Sequence, residues 1–200
     1  MLHDIMSRCD YLDMMELLAN RRAACRVSIR DGFILNMLDY IDEWNLEFSI
    51  MSSPPFVTNI YGATSDLDRH EDQYEVYLSK DVNILSMTIS AELNHDYRYL
   101  GELYRYPSCC VEAFCNSMTG DMQPHVSYPH LTNAIKNVRQ DSIYKKIMTP
   151  DLSNRVLSFF PCSFDCNRSL QIATWRVDFM KRHHEWKPLA TMFGGIDFAS

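Results

Sequence analysis

Five of the seven cysteines in this 200-residue chain fall into two short runs, YPSCCVEAFC at 106–115 and PCSFDC at 161–166. A thiolate is a soft metal ligand, a nucleophile and a redox group, so thiols grouped this tightly are candidates for all three kinds of chemistry. An odd number of cysteines fits a complete disulfide framework poorly, and in a reducing compartment clustered cysteines serve more often as ligands or catalytic thiols than as bridges.

Spacing sorts the thiols into two groups. If residues 108–118 are helical, Cys109 and Cys110 are about 100° apart and address one point beside the first turn, whereas Cys115 lies about 140° round from Cys110 and belongs to the packing. Cys162 and Cys166, four positions apart, share one face of a helix or sit close together in a turn. Pro107 is suited to the start of the first helix, where its missing N–H leaves no bond unmade, and Asp165 to Ser169 read as the polar entry to the last helix. Both pairs therefore sit at helix N-termini, whose partial positive charge and free N–H groups stabilise thiolates.

Two such pairs, about 50 residues apart, make a four-thiolate site formed by Cys109, Cys110, Cys162 and Cys166. Neither C-C nor C-x3-C matches the C-x2-C knuckle of structural zinc sites, while vicinal cysteines at a helix start suit a cluster at least as well. The expected cofactor is an iron–sulfur cluster, with zinc as the alternative; a thiol redox role and plain core cysteines are the remaining readings. Glu112, one turn beyond Cys109, and His125 and Asp165 are the candidate catalytic groups near an open metal position. Each also has an ordinary reading, Glu112 as an exposed carboxylate near a helix N-terminus. His130, Asn133 and Arg168 are weaker candidates, and His183-His184 read as cations complementing a helix C-terminus.

The elements that must position these groups follow from periodicity. A helix is expected over the first 30 residues, through YLDMMELLANRRAACRVSI, and a second through GFILNMLDYIDEW with Phe33, Leu35, Leu38 and Ile41 inward. LEFSIMSS and QYEVYLSKD alternate and read as strands, with PPFVTNIY offering a turn and a second strand and GATSDLDRHED forming a loop. From Val82 onward the pattern is helical: NILSMTISAELNHDYRYLGELYRY, SCCVEAFCNSM, YPHLTNAIKNVRQ and CNRSLQIATWRVDFMKRHHEW. The expected architecture is α+β in one domain, with a small helix and strand layer over 1–80 packed on a mainly helical, cysteine-bearing part over 81–200.

Composition narrows the function classes. At 46% hydrophobic and 22% charged, the chain can bury a core without disulfides. A net charge of −7 and a pI near 5.4 argue against binding of nucleic acid through a basic surface. No stretch reaches the roughly 18 apolar residues of a membrane span, and the acidic N-terminal segment is unlike a signal peptide, so a cytoplasmic protein is expected. Dinucleotide-binding, P-loop, zinc-protease and serine-hydrolase motifs are absent.

The run LGELYRYPSCCVEAF, followed some 50 residues later by PCSFDCNRSLQIA, resembles an uncharacterised archaeal and bacterial family. Its members share a Leu-Gly, then a Tyr-Pro-x-Cys-Cys-x-x-x-Phe core, and later a Pro-Cys-Ser-x-x-Cys. The resemblance covers roughly Leu100 to Ala173 and departs at Arg105, where the family carries glycine. It implies that the four cysteines act as one unit, and it implies no activity. Two functions are consistent with these readings: a metal- or cluster-dependent enzyme modifying a small molecule, a peptide or a nucleotide, and a zinc-stapled binding or accessory module for a partner protein.

Overall fold

The computed structural model describes residues 6–52, 73–117, 156–159, 161–163 and 166–183. Along these the chain forms α1 (Arg8–Leu18), β1 (Ala24–Arg30), a short 3-10 helix (Asp31–Phe33), α2 (Ile34–Glu43), β2 (Glu47–Ser52), β3 (Gln73–Ser79), α3 (Val82–Leu93), α4 (Tyr97–Leu103), α5 (Ser108–Ser117) and α6 (Asn167–Arg182). The architecture is α+β, as expected. Among the described residues no helix is long and apolar enough to cross a membrane.

The three strands form one antiparallel sheet in the order β1-β3-β2. Register places Cys25 opposite Leu78 and Val27 opposite Val76 on one side, with Phe48 opposite Leu78 and Ile50 opposite Val76 on the other. Side chains alternate across the pleat, so Tyr74, Val76 and Leu78 share a face, as their spacing suggested. Cys25, Val27, Ile29, Val76 and Leu78 join a core with Leu12, Met14 and Leu17 of α1, Met37 and Ile41 of α2, and Ala173, Val177 and Met180 of α6. The opposite face carries polar groups: Arg26 pairs with Glu92 of α3 at 2.9 Å, and within the sheet Ser28 donates to Glu75 at 2.9 Å.

Two sequence expectations change. ACRVSIR is strand β1 and does not continue the first helix. The helix ends at Asn20, whose positive φ of 58° turns the chain, and the period-2 burial of Cys25, Val27 and Ile29 then governs. In α2 the buried positions are Met37 and Ile41, with Ile34 and Leu38 packed beside them, while Leu35 is 73% exposed. The expected helical run after Val82 is real but divided. Asp81 caps α3 by accepting from Asn83 N at 2.7 Å, the helix stops at His95 (φ 55°), and Asp96 caps α4 by accepting from Tyr99 N. PPFVTNIY, GATSDLDRHED, YPHLTNAIKNVRQ and the C-terminal tail lie outside the described residues.

Helices α1 to α4 end alike. Asn20, Asn45, His95 and Arg105 all have positive φ and follow the last turns of these helices. At the end of α4, Arg105 N donates to Glu102 O at 2.9 Å and Tyr106 N to Gly101 O at 2.8 Å, the paired bonds of a Schellman cap. A non-glycine residue is strained there, and Arg105 stands where the resembling family carries glycine.

Candidate metal centre

The chain leaves α4 through this cap and enters α5 directly. The Pro107 carbonyl accepts from Cys110 N at 2.8 Å and from Val111 N at 3.0 Å, so proline opens the helix as expected. Close approach of α4 to α5 depends on Gly101, because a Cβ there would lie 2.9 Å from Cγ1 of Val111 and closer still to its Cγ2. Tyr106 packs on Phe159 (ring centroids 4.7 Å apart) and on Tyr104 (5.6 Å), which ties the start of α5 to the segment leading into the second cysteine run.

Cys109 and Cys110 occupy the first turn of α5, and Cys166 is the N-cap residue of α6, so three of the four thiols stand at helix N-termini. Cys162 follows the buried Pro161 in the connecting turn. Arg168 Nη1 donates to Ser108 Oγ at 3.0 Å and clips the two helix starts together.

These elements converge the four thiols. The Sγ atoms of Cys109, Cys110, Cys162 and Cys166 all lie within 4.8 Å of one another. The individual separations are 3.9 Å for Cys109–Cys110 and 3.7 Å for both Cys109–Cys166 and Cys110–Cys166. The sulfurs also have hydrogen-bonding neighbours: Cys162 N donates to Cys110 Sγ at 3.3 Å, and Ser169 Oγ lies 3.1 Å from the same sulfur. Cys110 and Cys166 are buried against the main core, while Cys109 is exposed at the rim.

Burial pushes the Cys110 thiol well above the ordinary thiol range and Cys162 up to about 11. Burial acts the same way on Cys166, but hydrogen bonds from the Ser169 side chain and backbone outweigh it and bring this thiol down to about 7. A low-pKa thiol among high-pKa neighbours offers an incoming cation a first thiolate, from which the others can be deprotonated in turn.

The remaining sequence candidates divide. Cys115 stands apart from the four-thiol group, half-buried on α5. Glu112 is exposed, and both its carboxylate oxygens are engaged by Arg98 of α4, whose guanidinium holds the carboxyl below its ordinary range through hydrogen bonding and charge. His183 stacks on Phe179 at 4.1 Å beyond α6. His125, His130, Asn133, Asp165 and His184 lie outside the described residues.

Sequence reasoning missed a buried ionic cluster behind the thiols. Arg176 of α6 is fully buried and donates to Glu16 (Nε to Oε1 at 3.1 Å, Nη2 to Oε2 at 2.7 Å), to Asp13, and through Nη1 to Val156 O at 2.8 Å. Arg22 bonds the same two carboxylates, Glu16 at 2.6 Å and Asp13 at 2.9 Å, and lies over the Tyr106 ring at 5.0 Å. Ser158 completes the set, donating to Asp13 at 2.8 Å and accepting from Arg22 at 3.2 Å. Two guanidiniums thus meet two carboxylates, and the cluster joins α1, α6, residues 156–158 and the tyrosine that precedes the cysteine helix.

No curated protein and no solved structure matches the chain. A family model described as protein of unknown function (DUF483) matches residues 68–191. The match takes in both cysteine pairs and Arg176, but begins after Asp13, Glu16 and Arg22. Because it covers more than half of the sequence, the chain belongs to the DUF483 family of proteins of unknown function.

Proposed function

We propose that Cys109, Cys110, Cys162 and Cys166 hold one zinc ion as four thiolates, and that the ion staples α5, the segment carrying Cys162 and α6 into a fixed surface for a partner. The carrying observation is the thiol spacing. Thiolates about 2.3 Å from a tetrahedral zinc stand about 3.8 Å from one another; here three of the six pairs are 3.7, 3.7 and 3.9 Å apart, and all six lie within 4.8 Å. Cysteines on the corners of a four-iron cluster would stand roughly 6 Å apart, since the metals themselves are separated. The sequence pattern alone favours a cluster; the spacing of the sulfurs favours a single ion.

Four protein ligands close the coordination sphere, as in structural zinc sites, whereas a catalytic zinc keeps a position for water or substrate. The Cys162 N–H on the Cys110 sulfur offsets thiolate charge in the same way that outer-shell groups tune metal ligands. Glu112, the described candidate for a catalytic role, spends its carboxylate on Arg98. A binding or accessory module is therefore favoured over an enzyme acting at the metal, and free thiols fit a reducing compartment such as the cytoplasm.

Replacement of the metal by cobalt(II) tests this reading. Four thiolates on one tetrahedral ion give intense green absorption from sulfur-to-cobalt charge transfer and ligand-field bands, titrating to one equivalent. Pale, octahedral-type spectra would contradict it.

A further inference from the structure

A second site stands apart from the thiols. A cavity of about 370 Å³ opens between the end of α1, the cap of α4 and one face of α6, lined by Arg21, Arg22, Arg105, Glu16, Tyr104 and Ile172. Three arginines on one cavity are notable in a chain of net charge −7. Arg22 and Arg176 balance the charges of Asp13 and Glu16, so Arg21 and Arg105 give the mouth its positive charge.

Arg22 supplies the second observation. Its side chain is 2% exposed and fixed by Asp13, Glu16 and Ser158, yet Nη1 is buried and makes no hydrogen bond among the described residues. A buried guanidinium N–H without an acceptor is costly, and Arg22 is one of the residues that line the cavity. Arg21 and Arg105 are exposed beside it. Arg21 is held over the Trp175 ring at 4.6 Å, and Arg105, which also lines the cavity, donates to Asn20 O at 2.8 Å through one nitrogen. Guanidinium forks fit the paired oxygens of phosphate groups, and the volume lies in the range of small-molecule sites.

We infer that this cavity binds a small phosphorylated molecule, with Arg22 Nη1 as the buried donor and Arg21 and Arg105 as the clamps at the mouth. The aromatic and aliphatic walls given by Tyr104 and Ile172 suit an organic body attached to the phosphate. The site shares no residue with the four thiols, so it stands whether or not the metal reading does.

The experiment is calorimetric titration of the full chain with inorganic phosphate, pyrophosphate and adenosine monophosphate at fixed ionic strength, with metal content measured on each sample. Saturable one-to-one binding of at least one probe is expected, weakened about tenfold or more when Arg21→Gln and Arg105→Gly are combined. Both positions are exposed, so both single variants and the double variant are expected to melt cooperatively, which a circular dichroism melt verifies; should the double variant not fold, the two single variants carry the comparison. Absence of saturable binding by all three probes, or unchanged affinity in the folded variants, would overturn the inference. Lost binding at unchanged metal content assigns the effect to the cavity and not to the thiol centre.

Discussion

Gly101 of α4 and Val111 of α5 touch so closely that a single added carbon has no room: a Cβ on Gly101 would press on both methyl groups of Val111. The helix that carries Cys109 and Cys110 is therefore seated against α4 by the absence of a side chain. Gly101→Ala is expected to force α5 away from α4, at a cost of about 1–3 kcal/mol for overpacking, and to weaken metal binding because two ligands shift relative to two that do not. Denaturant melts and competition against a chromophoric chelator check both effects. An alanine variant as stable and as tight as the parent would show that α5 is not held in this way.

The neighbouring cap yields a prediction of opposite sign. Arg105 has φ 54°, where a side chain is strained and glycine is not. Arg105→Gly is expected to gain about 0.5 kcal/mol, the relief of strain exceeding loss of the exposed bond to Asn20 O. Arg105→Val is expected to lose more than about 1 kcal/mol, because a β-branched residue tolerates positive φ least. Equal stability of the two variants would contradict the cap.

Much of the site was legible in the sequence because its signals are local. Pro107 announces a helix start, two thiols sit in the turn it opens, and Cys166 caps α6 with Cys162 four residues before it, outside the helix. The metal type was not legible, since ligand spacing along a chain does not give the distances between sulfurs in space. The strand at 24–30 is hidden in the pattern because RRAACRVSI begins with good helix formers, and Asn20 alone marks the break. The ionic cluster stayed hidden for a different reason. Charged residues are read as surface by default, and the available hint was that Asp13 and Glu16 interrupt the apolar run YLDMMELL, on a helix buried nearly all round.

That cluster should dominate the acid stability. Burial alone would raise the Glu16 carboxyl, but the Arg176 and Arg22 guanidiniums hold it below its ordinary value of 4.5. A depressed carboxyl contributes stability above its unfolded value and loses it as pH falls through the folded one. Thermal melts are expected to be flat on this account above about pH 5 and to fall steeply below pH 4.5, with the slope reduced in Glu16→Gln. Arg176→Met, which leaves two carboxylates buried with one guanidinium, is expected to cost about 3–5 kcal/mol. An Arg176→Met loss under about 1 kcal/mol would show that the cluster does little to hold α6.

Metal binding should release protons. Cys110 and Cys162 are held above the ordinary thiol range by burial and are protonated at neutral pH in the metal-free chain. At least about two protons should leave on binding, and affinity should fall as pH is lowered. Calorimetric titration in buffers of differing ionisation enthalpy reads the number directly. Binding without proton release would mean that these sulfurs are not the ligands.

The thiols themselves separate by role. Cys110→Ser removes the ligand that contacts Cys109, Cys166 and the Cys162 N–H, and should abolish stoichiometric metal. Cys115→Ser should retain it, because Cys115 lies outside the group.

The most direct measurement is metal and acid-labile sulfide analysis of the full chain purified without oxygen. One zinc per chain, no sulfide and a colourless solution are the results expected of a single ion held by Cys109, Cys110, Cys162 and Cys166. Brown protein with stoichiometric iron and sulfide, or a chain that binds no metal at all, would contradict the account.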